Sequence, residues 1–179
     1  MATLTTDDIA SVSLPEADRD PQGFAGKLGK SFEEYGFAII ADHGIPQGLI
    51  DDAEAKAKQF FALPEDVKRQ YAIPGGGGAR GYTPFGIETA KGASAHDLKE
   101  FWHVGRELPA GHRYRELMAD NIWPQEVAGF KDTFLTLFAE FDRVGARLLS
   151  AIARHLGLAP DWFLEPVRDG NSVLRLLHY

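Results

Sequence analysis

Apolar positions along the chain recur in two rhythms, the helical one of about 3.6 residues and the strand one of about 2. The longest helical run lies in the C-terminal half. Phe130, Phe134, Phe138, Phe141, Val144, Leu148, Ile152 and Leu156 repeat at steps of three and four, and Leu135, Leu137 and Leu149 widen the stripe. This predicts an amphipathic helix of roughly 27 residues, about 40 Å long, capped by Gly157 with Pro160 beyond. A second helix is predicted to open at Asp20-Pro21, an N-cap followed by proline at the first helical position. Phe24, Leu28, Phe32 and Tyr35 form its stripe and Gly36 stops it. A third runs from Gln47 to Leu63, with Leu49, Ile50, Ala53, Ala57, Phe60 and Phe61 on one side. Pro64-Glu65-Asp66 restarts a shorter helix towards Tyr71.

The strand signals are shorter. Ile9, Val12 and Leu14 punctuate an extended stretch that Pro15 ends. Phe37-Ala38-Ile39-Ile40-Ala41, an apolar run between Gly36 and Asp42, predicts a buried strand, followed by a turn at Asp42-His43-Gly44-Ile45-Pro46. Glu100 to Gly105 reads as a short strand closed by Leu108-Pro109, and Asn121-Ile122-Trp123-Pro124 as a turn before the longest helix. Pro74 to Gly78 is the most flexible segment, and Gly81 to Ser94 reads as loop or irregular strand. In the last strand, Ser172 to Tyr179, one face carries Val173, Arg175, Leu177 and Tyr179, the other Leu174, Leu176 and His178. Both faces are largely apolar, as in a central strand covered on two sides. With only three or four short strands available to pair with it, the chain is expected to be the front part of a larger protein.

Composition narrows the class. The 179 residues are 44% hydrophobic and 25% charged, enough for one domain with a sizeable core. Nineteen Lys and Arg against 26 Asp and Glu give a formal charge of −7, and no basic block marks a nucleic-acid partner. There is no cysteine, which excludes disulfides, thiolate metal sites and a Cys nucleophile, and fits a reducing compartment. No apolar run approaches the ~20 residues of a membrane span, and Met1 to Asp8 is polar and acidic, unlike a signal peptide. The expectation is a cytoplasmic protein with no membrane partner.

Isolated motifs carry little. Gly76-x-Gly78-x-x-Gly81 matches the dinucleotide fingerprint, but a helix and Pro74 precede it and Tyr82-Thr83-Pro84 follows, so the required strand-to-helix context is reversed. Six histidines, at 43, 96, 103, 112, 155 and 178, include no His-x-Asp or His-x-Glu and no i, i+4 pair, so no metal residue is assigned. There is no Gly-x-Ser-x-Gly elbow and no Walker loop. Asp97, Glu100 and Glu107 read as ordinary solvated charges. Tyr82, Phe85, Phe101 and Trp102 fall outside any helical stripe, beside a glycine-rich loop and Arg80, a combination that lines a ligand pocket or pins the loop. From the residues alone, the chain is a soluble α+β domain with a candidate binding loop.

Six segments in order resemble one family. They are Tyr35-Gly36-Phe37 with Asp42-His43-Gly44-Ile45-Pro46; Phe60-Phe61-Ala62-Leu63-Pro64 with Lys68; Gly81-Tyr82-Thr83-Pro84-Phe85-Gly86 with Asp97-Leu98-Lys99-Glu100-Phe101; Asn121-Ile122-Trp123-Pro124; Leu156-Gly157-Leu158; and Leu174-Arg175-Leu176-Leu177-His178-Tyr179. Together they resemble the N-terminal region of the isopenicillin N synthase-like, non-haem Fe(II)/2-oxoglutarate-dependent dioxygenases. The resemblance implies an α+β chain that enters a double-stranded β-helix, or jelly roll, with only its first core strand present. Its implied divisions are an N-terminal region over 1–115, a spine helix and connection over 116–170, and the start of the core over 171–179. It implies oxidation of a small-molecule substrate (hydroxylation, desaturation or cyclisation) with O₂, and Fe(II) and 2-oxoglutarate as cofactors. The family's His-x-Asp, distal His and Arg-x-Ser clamp have no counterpart here, so the iron ligands are expected beyond residue 179 and residues 1–179 alone are expected to be inactive. Tyr179 and Arg175 match positions on the inward face of the first core strand that approach the co-substrate. The Arg80 to Phe85 loop, with Tyr82, matches a region bordering the substrate. The rivals are a non-catalytic binding module that retains the scaffold, and an iron oxidase of the same family that needs no 2-oxoglutarate.

Overall fold

The computed structural model describes residues 9–89 and 97–179. The polar start over 1–8, the end of the glycine-rich stretch over 90–94 and His96 lie outside the described residues. The chain divides into two compact units, Met1–Ile45 with Glu140–Arg168, and Pro46–Ala139 with Asp169–Tyr179.

In the first unit, β1 (Val12–Ser13) is followed by a short helix, α1 (Glu16–Arg19), and by α2 (Pro21–Tyr35). The α2 start is built as its sequence predicts: the Asp20 side chain accepts the Gly23 N–H at 2.9 Å, and Pro21 opens the first turn. Gly36, at φ +80°, ends the helix in the left-handed conformation, with its N–H on the Phe32 carbonyl. The strand expected over 37–41 is shorter. Only β2 (Ile40–Ala41) pairs, in parallel with β1 through Val12↔Ile40 and Ser13↔Ala41. The chain is still leaving the α2 cap at Phe37, whose ring is 49% exposed and whose carbonyl accepts the Ser31 hydroxyl instead. Leu14, Phe24, Ala25 and Leu28 are buried. Helix α5 (Phe130–His155) spans 26 residues; 130–139 belong to the second unit and the remainder to the first. Near its end the His155 ring lies where a Cβ on Gly29 would be, so α2 and α5 meet closely at a glycine. The His155 ring bonds Glu33 at 2.9 Å. A one-turn helix, α6 (Leu164–Val167), completes the unit.

The second unit places α3 (Gln47–Phe61) and α4 (Glu65–Arg69) with a three-stranded antiparallel sheet of β3 (Gly81–Thr83), β4 (Glu100–Gly105) and β5 (Val173–His178), in the order β3-β4-β5. The register sets Tyr82 opposite Trp102 opposite Leu176, and Gly81 opposite His103 opposite Arg175. Because side chains alternate, one face carries Tyr82, Glu100, Trp102, Val104, Leu174, Leu176 and His178. The other carries Thr83, Phe101, His103, Val173, Arg175 and Leu177.

The first face is covered by aromatic side chains. Phe60, fully buried, meets Trp102 at 4.7 Å between ring centroids, Tyr82 at 5.7 Å and Phe130 at 5.9 Å, mostly edge to face. Trp102 is itself fully buried. At Gly81 the backbone adopts φ +70°, and a Cβ would lie 2.6 Å from both the Tyr71 carbonyl and Ile122, which is why this position takes glycine. Among the described residues β5 pairs only with β4, and Val173 and Leu177 are 43% and 45% exposed.

Candidate functional site

On the covered face, Glu100 is 1% exposed, which corrects its reading as a solvated charge. A carboxylate buried to this degree must be saturated with donors. Lys68 of α4 supplies its ammonium at 2.7 Å, Tyr82 of β3 its hydroxyl, and His178 of β5 its Nδ1–H at 2.8 Å. Burial alone pushes the Glu100 carboxyl up, but Lys68, Tyr82 and His178 outweigh it and hold the group below the usual carboxylate range. Tyr82 is displaced the other way: burial and the Glu100 charge raise its phenol well above the ordinary value, so it remains a donor. Lys68 also donates to the Phe61 carbonyl at 3.2 Å, and the Phe61 ring stacks on His178 at 5.1 Å. One carboxylate thereby joins a helix and all three strands. The sequence offered no local sign of this, because the partners lie 32, 18 and 78 residues away.

The open face is cationic and centred on His103, which is 7% exposed. Its Nδ1–H donates to the Gly78 carbonyl, and its Nε2 accepts the Nε–H of Arg175. The Arg175 guanidinium lies 4.6 Å above the Phe101 ring. Arg80, fully buried, lays its guanidinium where a Cβ on Gly105 would sit, and donates to the Ala79 carbonyl at 2.7 Å and to Asn171 at 3.0 Å. Burial, helped by the charges of Arg175 and Arg80, holds the His103 imidazole below the ordinary histidine range against the opposing pull of the Gly78 carbonyl and Glu88.

These two clusters sort the residues singled out from sequence. Arg80 and Arg175 flank His103 on the open face, and Tyr179, one residue past the end of β5, is 80% exposed. Tyr82 points to the covered face, at Glu100. Phe85, 40% exposed, stands 6.5 Å from the His178 ring. A cavity of about 300 Å³ beside the glycine loop is lined by residues including Arg69, Ile73, Arg80, Tyr82, Pro84 and Ile87. Sequence reasoning missed the roles of Glu100, Lys68 and His103. Among the described residues, no three His, Asp or Glu side chains converge as a metal ligand set. The described residues offer no set that fits an iron centre, and none of them is assigned to hold one.

The family model for the N-terminal region described as "non-haem dioxygenase in morphine synthesis N-terminal" matches residues 8–126. The chain belongs to this non-haem dioxygenase family. Among curated proteins it is similar to the 2-oxoglutarate-dependent dioxygenase eupC of a Phoma species, 31% identical over 191 residues that cover 99% of this chain and 60% of that protein. Among solved structures it is similar to a 2OG-Fe(II) oxygenase family protein of Caulobacter crescentus, 54% identical with a TM-score of 0.87, covering 96% of this chain and 56% of that one. It is also similar to a full-length Neurospora crassa protein crystallised in complex with alpha-KG, 26% identical with a TM-score of 0.79, covering 98% and 56% of the two chains. The chain thus spans little more than half the length of these relatives. Within the dioxygenase segment matched by the family model lie Lys68, Arg80, Tyr82, Glu100 and His103; Arg175, His178 and Tyr179 fall after it.

Proposed function

We propose that this chain is the N-terminal part of a cytoplasmic Fe(II)- and 2-oxoglutarate-dependent dioxygenase that oxidises a small molecule. The observation that carries the reading, once family membership is given, is the open face of the β3–β4–β5 sheet. There the Arg175 guanidinium lies over the Phe101 ring and beside His103, a cation on an aromatic floor suited to a carboxylate. Arg175 and Tyr179 are assigned to the co-substrate side. Arg80, Tyr82 and Phe85 are assigned to the substrate side: Arg80 and Tyr82 line the cavity beside the glycine loop, and Phe85 falls between its lining residues Pro84 and Ile87. These residues hold no iron; their part is to orient small molecules and keep one side of the site dry.

The test is anaerobic loading of the complete protein with Fe(II) and 2-oxoglutarate, followed by O₂ and a panel of small molecules. Succinate and CO₂ are expected in step with 2-oxoglutarate loss, faster with a substrate present. A folded protein that neither binds 2-oxoglutarate nor forms succinate overturns the reading.

A further inference from the structure

The proton on His103 is fixed by its neighbours. The Gly78 carbonyl can only accept and the Arg175 Nε–H can only donate, so the ring carries its proton on Nδ1 and offers a lone pair at Nε2. The carbonyl in turn depends on glycine. Gly78 sits at φ +69°, and a Cβ there would press on the Thr83 hydroxyl at 3.0 Å.

Arg175 is thereby held at two points, its Nε on His103 and its plane over Phe101. Its Nη2 is 3.8 Å from the Glu88 carboxylate, beyond hydrogen-bond distance, and Glu88 pairs with Lys99 at 3.0 Å. The side chain is 40% exposed. A guanidinium fixed at Nε and stacked on a ring still presents its terminal N–H edge, the edge that takes a carboxylate in a fork.

We propose that His103 is a positioning residue: in the tautomer set by the Gly78 carbonyl, it orients Arg175 as the receptor for a carboxylate on the open face of the sheet. This rests on the reading that the face meets small molecules. The carboxylate belongs either to 2-oxoglutarate or to the substrate, with the same chemistry in both cases. The arrangement also ties the glycine loop to Arg175. Moving the Gly78 carbonyl away would let the ring place its proton on Nε2, where it opposes the guanidinium instead of accepting from it.

The complete protein is the material for the test. Long-range ¹H–¹⁵N spectra of the imidazoles are expected to show His103 as the Nδ1–H form at neutral pH; an Nε2–H ring overturns the proposal without reference to any ligand. His103→Leu removes the acceptor at similar bulk. It is expected to weaken 2-oxoglutarate about 10-fold or, if 2-oxoglutarate is unmoved, to weaken benzoate added to the 2-oxoglutarate-bound protein about 10-fold, as lost charge-assisted bonding would. Benzamide is the neutral control. The first outcome places the carboxylate on the co-substrate, the second on the substrate, and both support the proposal. His103→Gln restores an acceptor oxygen and is expected to recover most of the loss, whereas Arg175→Gln should add little on top of His103→Leu. Unchanged affinity for both probes in a folded His103→Leu protein, or additive losses in the double variant, overturns it. A wild-type protein that fails to bind 2-oxoglutarate counts against the dioxygenase reading, and the tautomer spectrum, with benzoate titrated into the ligand-free wild-type and His103→Leu proteins, then decides His103 alone.

Discussion

Glu100 shows how much one buried charge can organise. Removing a single partner from such a cluster leaves an under-compensated charge in the interior, which costs about 3–5 kcal/mol. Lys68→Met is therefore expected to destabilise the protein by about that much in urea unfolding, well beyond the loss of an exposed pair such as Lys58 with Glu54. The pH dependence follows from the depressed Glu100 carboxyl. The unfolded state takes up its proton near the usual 4.5 and the folded state only at lower pH. The stabilisation is thus complete above that value and is lost as pH falls through the folded one. Glu100→Gln should flatten this acid limb in denaturation curves collected from about pH 3 to 7. At Tyr179, a phenol that donates to a carboxylate is worth about 1.5 kcal/mol or more, so Tyr179→Phe should weaken 2-oxoglutarate by about 10-fold in titration calorimetry. Unchanged affinity with an intact circular dichroism spectrum would leave Tyr179 out of the site. None of the Glu100 chemistry was legible locally, since a carboxylate in a strand looks the same whether it meets water or a lysine from a distant helix.

At the scale of elements, the long helices were the legible part. The stripes of α2, α3 and α5 and the Asp20, Pro21 and Gly36 signals place their ends to within a residue or two. Strands fared less well, because two- and three-residue ladders carry too few alternations to register. Phe37 to Ala41 reads as a buried strand, yet only its last two residues pair. The Gly81 to Thr83 strand is hidden in a glycine-rich stretch and exists through its register with β4. Two glycines of α2 make a controlled comparison. Nothing lies within 4 Å of a Cβ on Gly26, so Gly26→Ala should stabilise by about 0.5–1 kcal/mol through helix propensity. A Cβ on Gly29 would collide with the His155 ring, so Gly29→Ala should cost about 1–3 kcal/mol instead. Thermal melts of the two variants in opposite directions would confirm that α5 is seated on α2 at this residue.

For the whole molecule, the net charge of −7 sets a background against which the cationic sheet face is a local exception. Family membership was legible through the order of six short segments, none of which identifies anything by itself. Among the described residues, no helix is long and apolar enough to cross a membrane. The two units also differ in what surrounds their indoles. Trp102 is fully buried among rings in the second unit, and Trp162 of the first is 59% exposed. Buried indole emits towards the blue and hydrated indole towards the red, so the intrinsic fluorescence spectrum is a sum of separable colours. In a Trp162→Phe protein the remaining emission, from Trp102 and Trp123, belongs to the second unit alone. Comparing its denaturation midpoint with that of the wild type at the red edge would show whether the two units melt as one or in succession.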